Sequence, residues 1–352
     1  MSTTEVRPNR GFHPVLETDT PYIVIDACMQ IWEDADWSVA HKHGATVYGV
    51  TAWRPHAPFD QAVEELMYWH LIARKNENIV VATTVDDIRQ AKANGKAALL
   101  LATQGGDAIG NKLYRVETFQ RLGLRMMIPA YNNSNHICDG CLDRTDSGLT
   151  RFGELVVDEC NRVGIVLDCT HVGRRATLEI IERSSQPCVF SHSNPSALVE
   201  NRRNIDDEQI KACAAKGGVI GLAPWGPLLF SSKHTARPTV EDFIDHIDYI
   251  AQLLGSTDNI GLGTDFSLGT YGRHDPDPWG EPKETGFGAV AVNFNKVVPP
   301  ITTSPLRFAE GFDSYPEVTN FIDRLRARGY GEEDVRKILG ENFMRVFAQV
   351  WK

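Results

Sequence analysis

Five things are scarce or missing in this chain of 352 residues, and each argues against a class of protein. No apolar run is long enough to cross a bilayer. The opening residues, Met-Ser-Thr-Thr-Glu-Val-Arg-Pro-Asn-Arg, lack the apolar core of a secretory signal, so a cytoplasmic protein with no membrane attachment is expected. Positive charge is in deficit: 36 Lys and Arg stand against 46 Asp and Glu, a net charge of −10, which argues against a nucleic-acid surface and points to a small-molecule partner. The 7 cysteines are odd in number and scattered through apolar segments, which suits reduced, buried thiols better than a disulfide framework. Cys138 and Cys141 form a C-x-x-C pair without a second pair or a His-x-x-x-His nearby, and they read as two unrelated thiols. Lastly, the first apolar run leads into Ile25-Asp26-Ala27-Cys28-Met29-Gln30 with no glycine-rich phosphate turn, which sets aside an open doubly wound, dinucleotide-binding sheet.

What the chain does have is alternation. Continuous apolar runs over 22–26, 45–52, 97–103, 124–130, 164–170, 187–191, 217–223 and 259–264 read as strands buried on both faces. Amphipathic patterns over 58–76, 85–94, 114–122, 148–162, 174–184, 206–216 and 239–254 read as the helices between them, and 316–328 and 332–351 as closing helices, the last broken near Gly340. Eight strands alternating with helices predict one α/β domain over 1–352, a (β/α)₈ TIM barrel. Two segments break the rhythm: a polar, Asn-rich loop over 131–147 after the fourth strand, and a Gly, Pro and aromatic-rich loop over 267–316 after the eighth. Both leave from carboxyl ends of strands and are candidate lids or substrate walls. Within the second, Tyr271, His274, Trp279, Phe287 and Phe294 are expected to shape specificity, or equally to pack beneath the loop or against a second subunit.

Three polar residues close apolar strands. His171 ends Gly-Ile-Val-Leu-Asp-Cys-Thr-His, His192 ends the next run, and Asp265 follows the eighth strand. Two imidazoles and a carboxylate on the active face of a barrel suit a divalent metal, against the plainer reading of hydrogen-bonded residues at strand ends. Trp53, just after the second strand, is expected to line the pocket. Asp168, inside the fifth strand, is expected to pair within the barrel. His41 and His43 have ligand spacing but precede the second strand, on the face away from the chemistry.

Several of these segments resemble, in order, the membrane (renal) dipeptidase family of the amidohydrolase superfamily. They are Leu167-Asp168-Cys169-Thr170-His171-Val172, Phe190-Ser191-His192-Ser193-Asn194, Arg203-Asn204-Ile205-Asp206-Asp207-Glu208-Gln209, Gly217-Gly218-Val219-Ile220-Gly221 and Gly261-Leu262-Gly263-Thr264-Asp265-Phe266. Arg328-Gly329-Tyr330 and Ile338-Leu339-Gly340-Glu341-Asn342-Phe343 carry the likeness to the closing helices, and it continues more faintly back to residue 22. The resemblance implies an amidohydrolase-like barrel, a homodimer, a binuclear zinc centre bridged by a glutamate, and cleavage of dipeptides or related amides. It further implies that His171 and His192 ligate one metal, that Asp265 ligates the other or shuttles the proton, and that Arg203 pairs with a substrate carboxylate.

The departures from that pattern fall on the metal. Cys28 and Gln30 stand where the family carries a ligating His-x-Asp pair, Gln104 where it carries the bridging glutamate, and Tyr131 where a histidine contacts substrate. A neutral amide cannot balance two dications, so one zinc is expected, on His171, His192 and Asp265 with Cys28 as fourth partner or as a merely buried thiol. Tyr131 is a candidate hydrogen-bond donor to an oxyanion, and Gln104 a substrate contact. His136, on the same loop, is a candidate stand-in for the missing imidazole. The leading expectation is a hydrolase acting on a small amide, dipeptide-like or lactam-like carboxylate. The alternatives are decarboxylation, carbon–carbon cleavage or isomerisation on the same barrel, and a non-catalytic metabolite-binding relative.

Overall fold

The computed structural model describes residues 20–32, 35–269, 290–298 and 305–352. Tyr271, His274, Trp279 and Phe287 lie outside the described residues, as does most of the long loop that carries them.

Ten strands are described: β1 (Val24–Ile31), β2 (Ala45–Thr51), β3 (Ile79–Val81), β4 (Ala97–Thr103), β5 (Met126–Met127), β6 (Val166–Leu167), β7 (Val189–Phe190), β8 (Val219–Leu222), β9 (Ile260–Leu262) and β10 (Phe266–Leu268). The order β1-β2-β4-β5-β6 forms one parallel run and β7-β8-β9 another. The two runs meet at both ends. The Cys169 amide donates to Val189 O at 2.7 Å, and the Asp265 amide donates to Cys28 O at 2.8 Å. The result is the (β/α)₈ barrel, its eight strands those read from the sequence. β4, Ala-Ala-Leu-Leu-Leu-Ala-Thr, is buried at every residue, as a strand covered on both faces must be.

The helices between strands match the amphipathic patterns, and their ends follow from local chemistry. Val85–Ala93 starts at a Thr84/Asp87 capping box, Asp207–Ala215 at an Asp206/Gln209 box, and Arg151–Val163 stops where Gly164 turns left-handed at φ 86°. Among the described residues no helix is long and apolar enough to cross a membrane.

The structure shortens the runs over 124–130, 164–170 and 187–191 to two-residue strands, and it differs further in two others. β3 has three residues, too short for its apolar run to stand out, and it pairs with the first half of β4. β1 does not end at Asp26 but continues to Ile31, because it carries a bulge. Asp26 lies opposite Tyr48 and Met29 opposite Val50, so Ala27 and Cys28 together face the single residue Gly49. A side chain at Gly49 has no room: its Cβ would sit 2.2 Å from the Ala27 carbonyl oxygen. The extra residue inverts the alternation beyond it, so that Cys28 and Gln30 share a face with Ile25 rather than with Asp26. That face, with Val47, Ala98, Leu100, Met126, Val166, Val189 and Val219, packs against Phe343 and Phe347 of the closing helix Asn342–Val350. Asp26, on the other face, accepts hydrogen bonds from the Thr264 amide and the Tyr315 hydroxyl, both at 2.8 Å, and ties β1 to the segment after β9.

Two predictions follow from these placements. Gly49→Ala forces the bulge open and lowers stability by about 1–3 kcal/mol; an unchanged urea midpoint would show that the bulge tolerates a methyl group. The second concerns His246, on helix Val240–Leu254, 3% exposed and with its Nδ1 unpartnered among the described residues. Burial pushes its pKa down to about 3. The unfolded chain takes up this proton near pH 6.5 and the folded one does not, so stability is full above that value and falls as pH drops, by about 3 kcal/mol at pH 4.5. Denaturant titrations of wild type and His246→Leu between pH 4.5 and 7 check this, the variant showing the shallower slope.

Candidate metal centre and active site

The functional side chains gather at the carboxyl ends of the strands. The bulge in β1 delivers Cys28 and Gln30, and Gln104 follows β4 on the same face as Ala98, Leu100 and Ala102. Tyr131 and Asn132 leave on the loop beyond β5, His171 and His192 follow β6 and β7, and Asp265 follows β9. His171, Asp265 and Asn132 hold left-handed backbones at φ 65°, 58° and 60°. Such strain in residues other than glycine collects where a side chain must be aimed.

The two histidines face each other, Nε2 to Nε2, at 3.0 Å. Arg203 Nη2, which only donates, lies 3.2 Å from His171 Nε2, so that nitrogen is an acceptor. His171 therefore carries its proton on Nδ1 and donates it to Asn132 Oδ1 at 2.7 Å. His192 then donates from Nε2 to His171, and its Nδ1 accepts from the Ser191 hydroxyl at 2.7 Å. Burial, with the Arg203 charge added, holds both imidazoles well below the usual histidine pKa, so both are neutral and available as ligands.

Beside His192 lie a thiol and a carboxylate. One ligand atom each from Cys28, His192 and Asp265 fall within 4.8 Å of one another. His171 is a neighbour of this trio rather than part of it. The two amides hold the acidic partners in place: Gln30 Nε2 donates to Asp265 Oδ1 at 3.0 Å, and Gln104 Nε2 donates to Cys28 Sγ at 3.3 Å and to Thr51 Oγ1 at 3.2 Å. Burial and the adjacent Asp265 carboxylate push the Cys28 thiol well above its usual pKa. A thiol so placed is a poor nucleophile and becomes a thiolate only if a cation joins it. Burial also raises Asp265, partly offset by the Gln30 amide, and its Oδ2 makes no hydrogen bond among the described residues. Thiolate, carboxylate and neutral imidazole together cancel the charge of one divalent metal and leave a coordination position open, so the donor set fits a single zinc.

A small cavity of about 60 Å³ lies over this floor, walled by Gln30, Gln104, Tyr131, His171, Arg203 and Asp265. The Tyr131 ring stacks on His171 at 4.2 Å between centroids. Other expected residues stand elsewhere. Trp53 does not line the cavity: it is 1% exposed, donates to Gly105 O at 3.2 Å and packs on Phe119, so its role is to brace the loop after β4. His136 is exposed and outside the wall. His41 hydrogen-bonds the Gly95 and Ala45 carbonyls, away from the site. Asp168 accepts from the Thr170 and Ser191 amides, both at 3.0 Å, and pins the ends of β6 and β7 together. Cys138 and Cys141 are free thiols. Asn132 and Ser191, which fix the imidazoles, gave no sign in the sequence beyond lying next to Tyr131 and His192.

These contacts predict that His171 is protonated at Nδ1 in the metal-free protein, readable from two-bond ¹H–¹⁵N couplings, and that Asn132→Ala abolishes that preference. An Nε2-protonated His171 in the wild type would overturn the assignment.

Comparisons with known proteins agree with this architecture. The sequence model of the membrane dipeptidase family (peptidase family M19) matches residues 34–275. The crystal structure of an amidohydrolase from Pseudomonas aeruginosa is 33% identical, with a TM-score of 0.81 over 94% of this chain and 97% of its own. Dipeptidase tcpJ of Claviceps purpurea (strain 20.1) is 26% identical over 279 residues, which are 78% of this chain and 56% of that protein. Dipeptidase 3 of Rattus norvegicus is 25% identical over 295 residues, 82% of this chain and 52% of that protein. The chain thus spans about half the length of these curated relatives.

Proposed function

Because the chain belongs to the membrane dipeptidase family, we propose that it is a metal-dependent hydrolase with one zinc, acting on a small amide that carries a carboxylate. The observation that carries the reading is the convergence of Cys28, His192 and Asp265 within 4.8 Å at the carboxyl ends of three strands. Those three residues would hold the metal, with His171 as the nearest further donor. When bound, zinc lowers the pKa of water towards about 7 and polarises the scissile carbonyl.

The chain's own residues do the rest. Asp265, through the Oδ2 that the Gln30 amide leaves free, takes a proton from the attacking water and returns it to the leaving amine. Arg203 orients the substrate through its carboxylate, since a planar guanidinium suits bidentate pairing. The Tyr131 hydroxyl and the Gln30 N–H that reaches Cys28 at 3.9 Å supply neutral donors to charge developing on the carbonyl oxygen, while Gln104, with both N–H groups on Cys28 and Thr51, holds the thiol. The same donors suit an enolate-like anion, which keeps decarboxylation or isomerisation as the second reading; products identified by mass spectrometry separate the two.

Protein purified without chelator is expected to hold about one zinc per chain by elemental analysis, lost in His192→Ala. Gln104→Glu, which restores a charged bridge, is expected to raise the ratio towards two. Zinc-free protein with full hydrolytic activity would reject the reading.

A further inference from the structure

Behind the wall formed by His171 and Arg203 lies a second, larger cavity of about 300 Å³. It is built by the loops after β5, β6 and β7, and its size is at the lower end for small-ligand pockets. Four arginines, Arg144, Arg174, Arg202 and Arg203, and two aspartates, Asp143 and Asp146, line it in a chain whose net charge is −10.

The charges are not matched within the protein. Arg174 is paired with Asp206 and Glu208. Asp143 accepts from the Gly140 amide and Asp146 from the Arg175 amide, each at its own turn of chain. Arg144, Arg202 and Arg203 have no carboxylate within 4 Å among the described residues; Arg202 donates to the Asp143 carbonyl, and the Asp143 and Asp265 carboxylates act on Arg202 and Arg203 only from farther off. Arg203 is 5% exposed and spends Nη2 on His171 and His192, while its Nε and Nη1 donate to nothing among the described residues. A buried guanidinium with idle donors facing a cavity calls for an anionic acceptor. Arg144 and Arg202, both exposed at the rim, call for another.

We propose that this outer cavity binds a small dicarboxylate, one carboxylate on Arg203 at the floor and the other between Arg144 and Arg202 at the rim. The site needs no metal, although it rests on the proposed function in treating Arg203 as a carboxylate anchor. It assigns an acidic group to the ligand beyond the one that the inner site requires.

Calorimetric titration of the full chain, without added metal, with succinate, propionate and inorganic phosphate tests this. Succinate is expected to bind at least about ten-fold tighter than propionate or phosphate, and to weaken by about ten-fold or more in Arg202→Ala and in Arg144→Ala. Both substitutions are at exposed positions, and unchanged thermal unfolding confirms that the fold is intact. Asp265→Asn, which removes a carboxylate that interacts with Arg203, is expected not to weaken succinate binding. Equal binding of succinate and propionate, equal binding of phosphate, indifference to Arg202→Ala and Arg144→Ala, or loss in Asp265→Asn would each overturn the dicarboxylate site. Succinate binding in a protein that takes up no zinc would instead fail the metal reading and leave this one standing.

Discussion

Everything at the active face depends on one extra residue in β1. Ala27 and Cys28 share the space opposite Gly49, and the alternation of the strand is reversed from there on. Without that bulge Asp26, Cys28 and Gln30 would share a face, and the thiol could stand in the centre only together with the aspartate. With it, Asp26 serves outside as a clamp on Thr264 and Tyr315, and Cys28 stands beside His192 and Asp265. A bulge next to an active site commonly re-aims a side chain, and here it determines which acid belongs to the scaffold and which donor belongs to the chemistry.

The charge in the centre is kept low throughout. Two amides hold the Cys28 and Asp265 groups, two neutral imidazoles face one another, and the cation nearby is Arg203. In a desolvated site each uncompensated charge is costly, and with amides at Gln30 and Gln104 the Asp265 carboxylate is left to be balanced by a cation. Arg203 partly fills that electrostatic role. Its Nη2 sits against the lone pair of His171, on the nitrogen that a metal would use. A metal on His171 would have to displace that guanidinium, and whatever draws Arg203 towards a carboxylate loosens its hold on His171.

The barrel was legible because strands buried on both faces read as unbroken apolar runs, and β4 or the segment before His171 has no other good reading. His171, His192 and Asp265 were legible for the same reason, each being a polar residue immediately after such a run. The bulge was not, since register is a property of two strands and Gly49 lies about twenty residues from Cys28. Trp53 misled because position after a strand does not fix where a ring turns, and this one turns inward to Phe119. The outer cavity takes its walls from three separate loops, and its arginines look in the sequence like any solvated ones.

The Ser191 hydroxyl lies 2.7 Å from His192 Nδ1 and 3.3 Å from Thr170 Oγ1, and a hydroxyl donates or accepts with equal ease. Were His192 to give its Nε2 lone pair to a cation, its proton would move to Nδ1 and Ser191 would turn from donor to acceptor. No heavy atom need shift. The two tautomers of this imidazole are thus isosteric, a difference written only in hydrogen positions. An electron-density map at ordinary resolution is blind to it, whereas neutron diffraction or nitrogen NMR reads it directly.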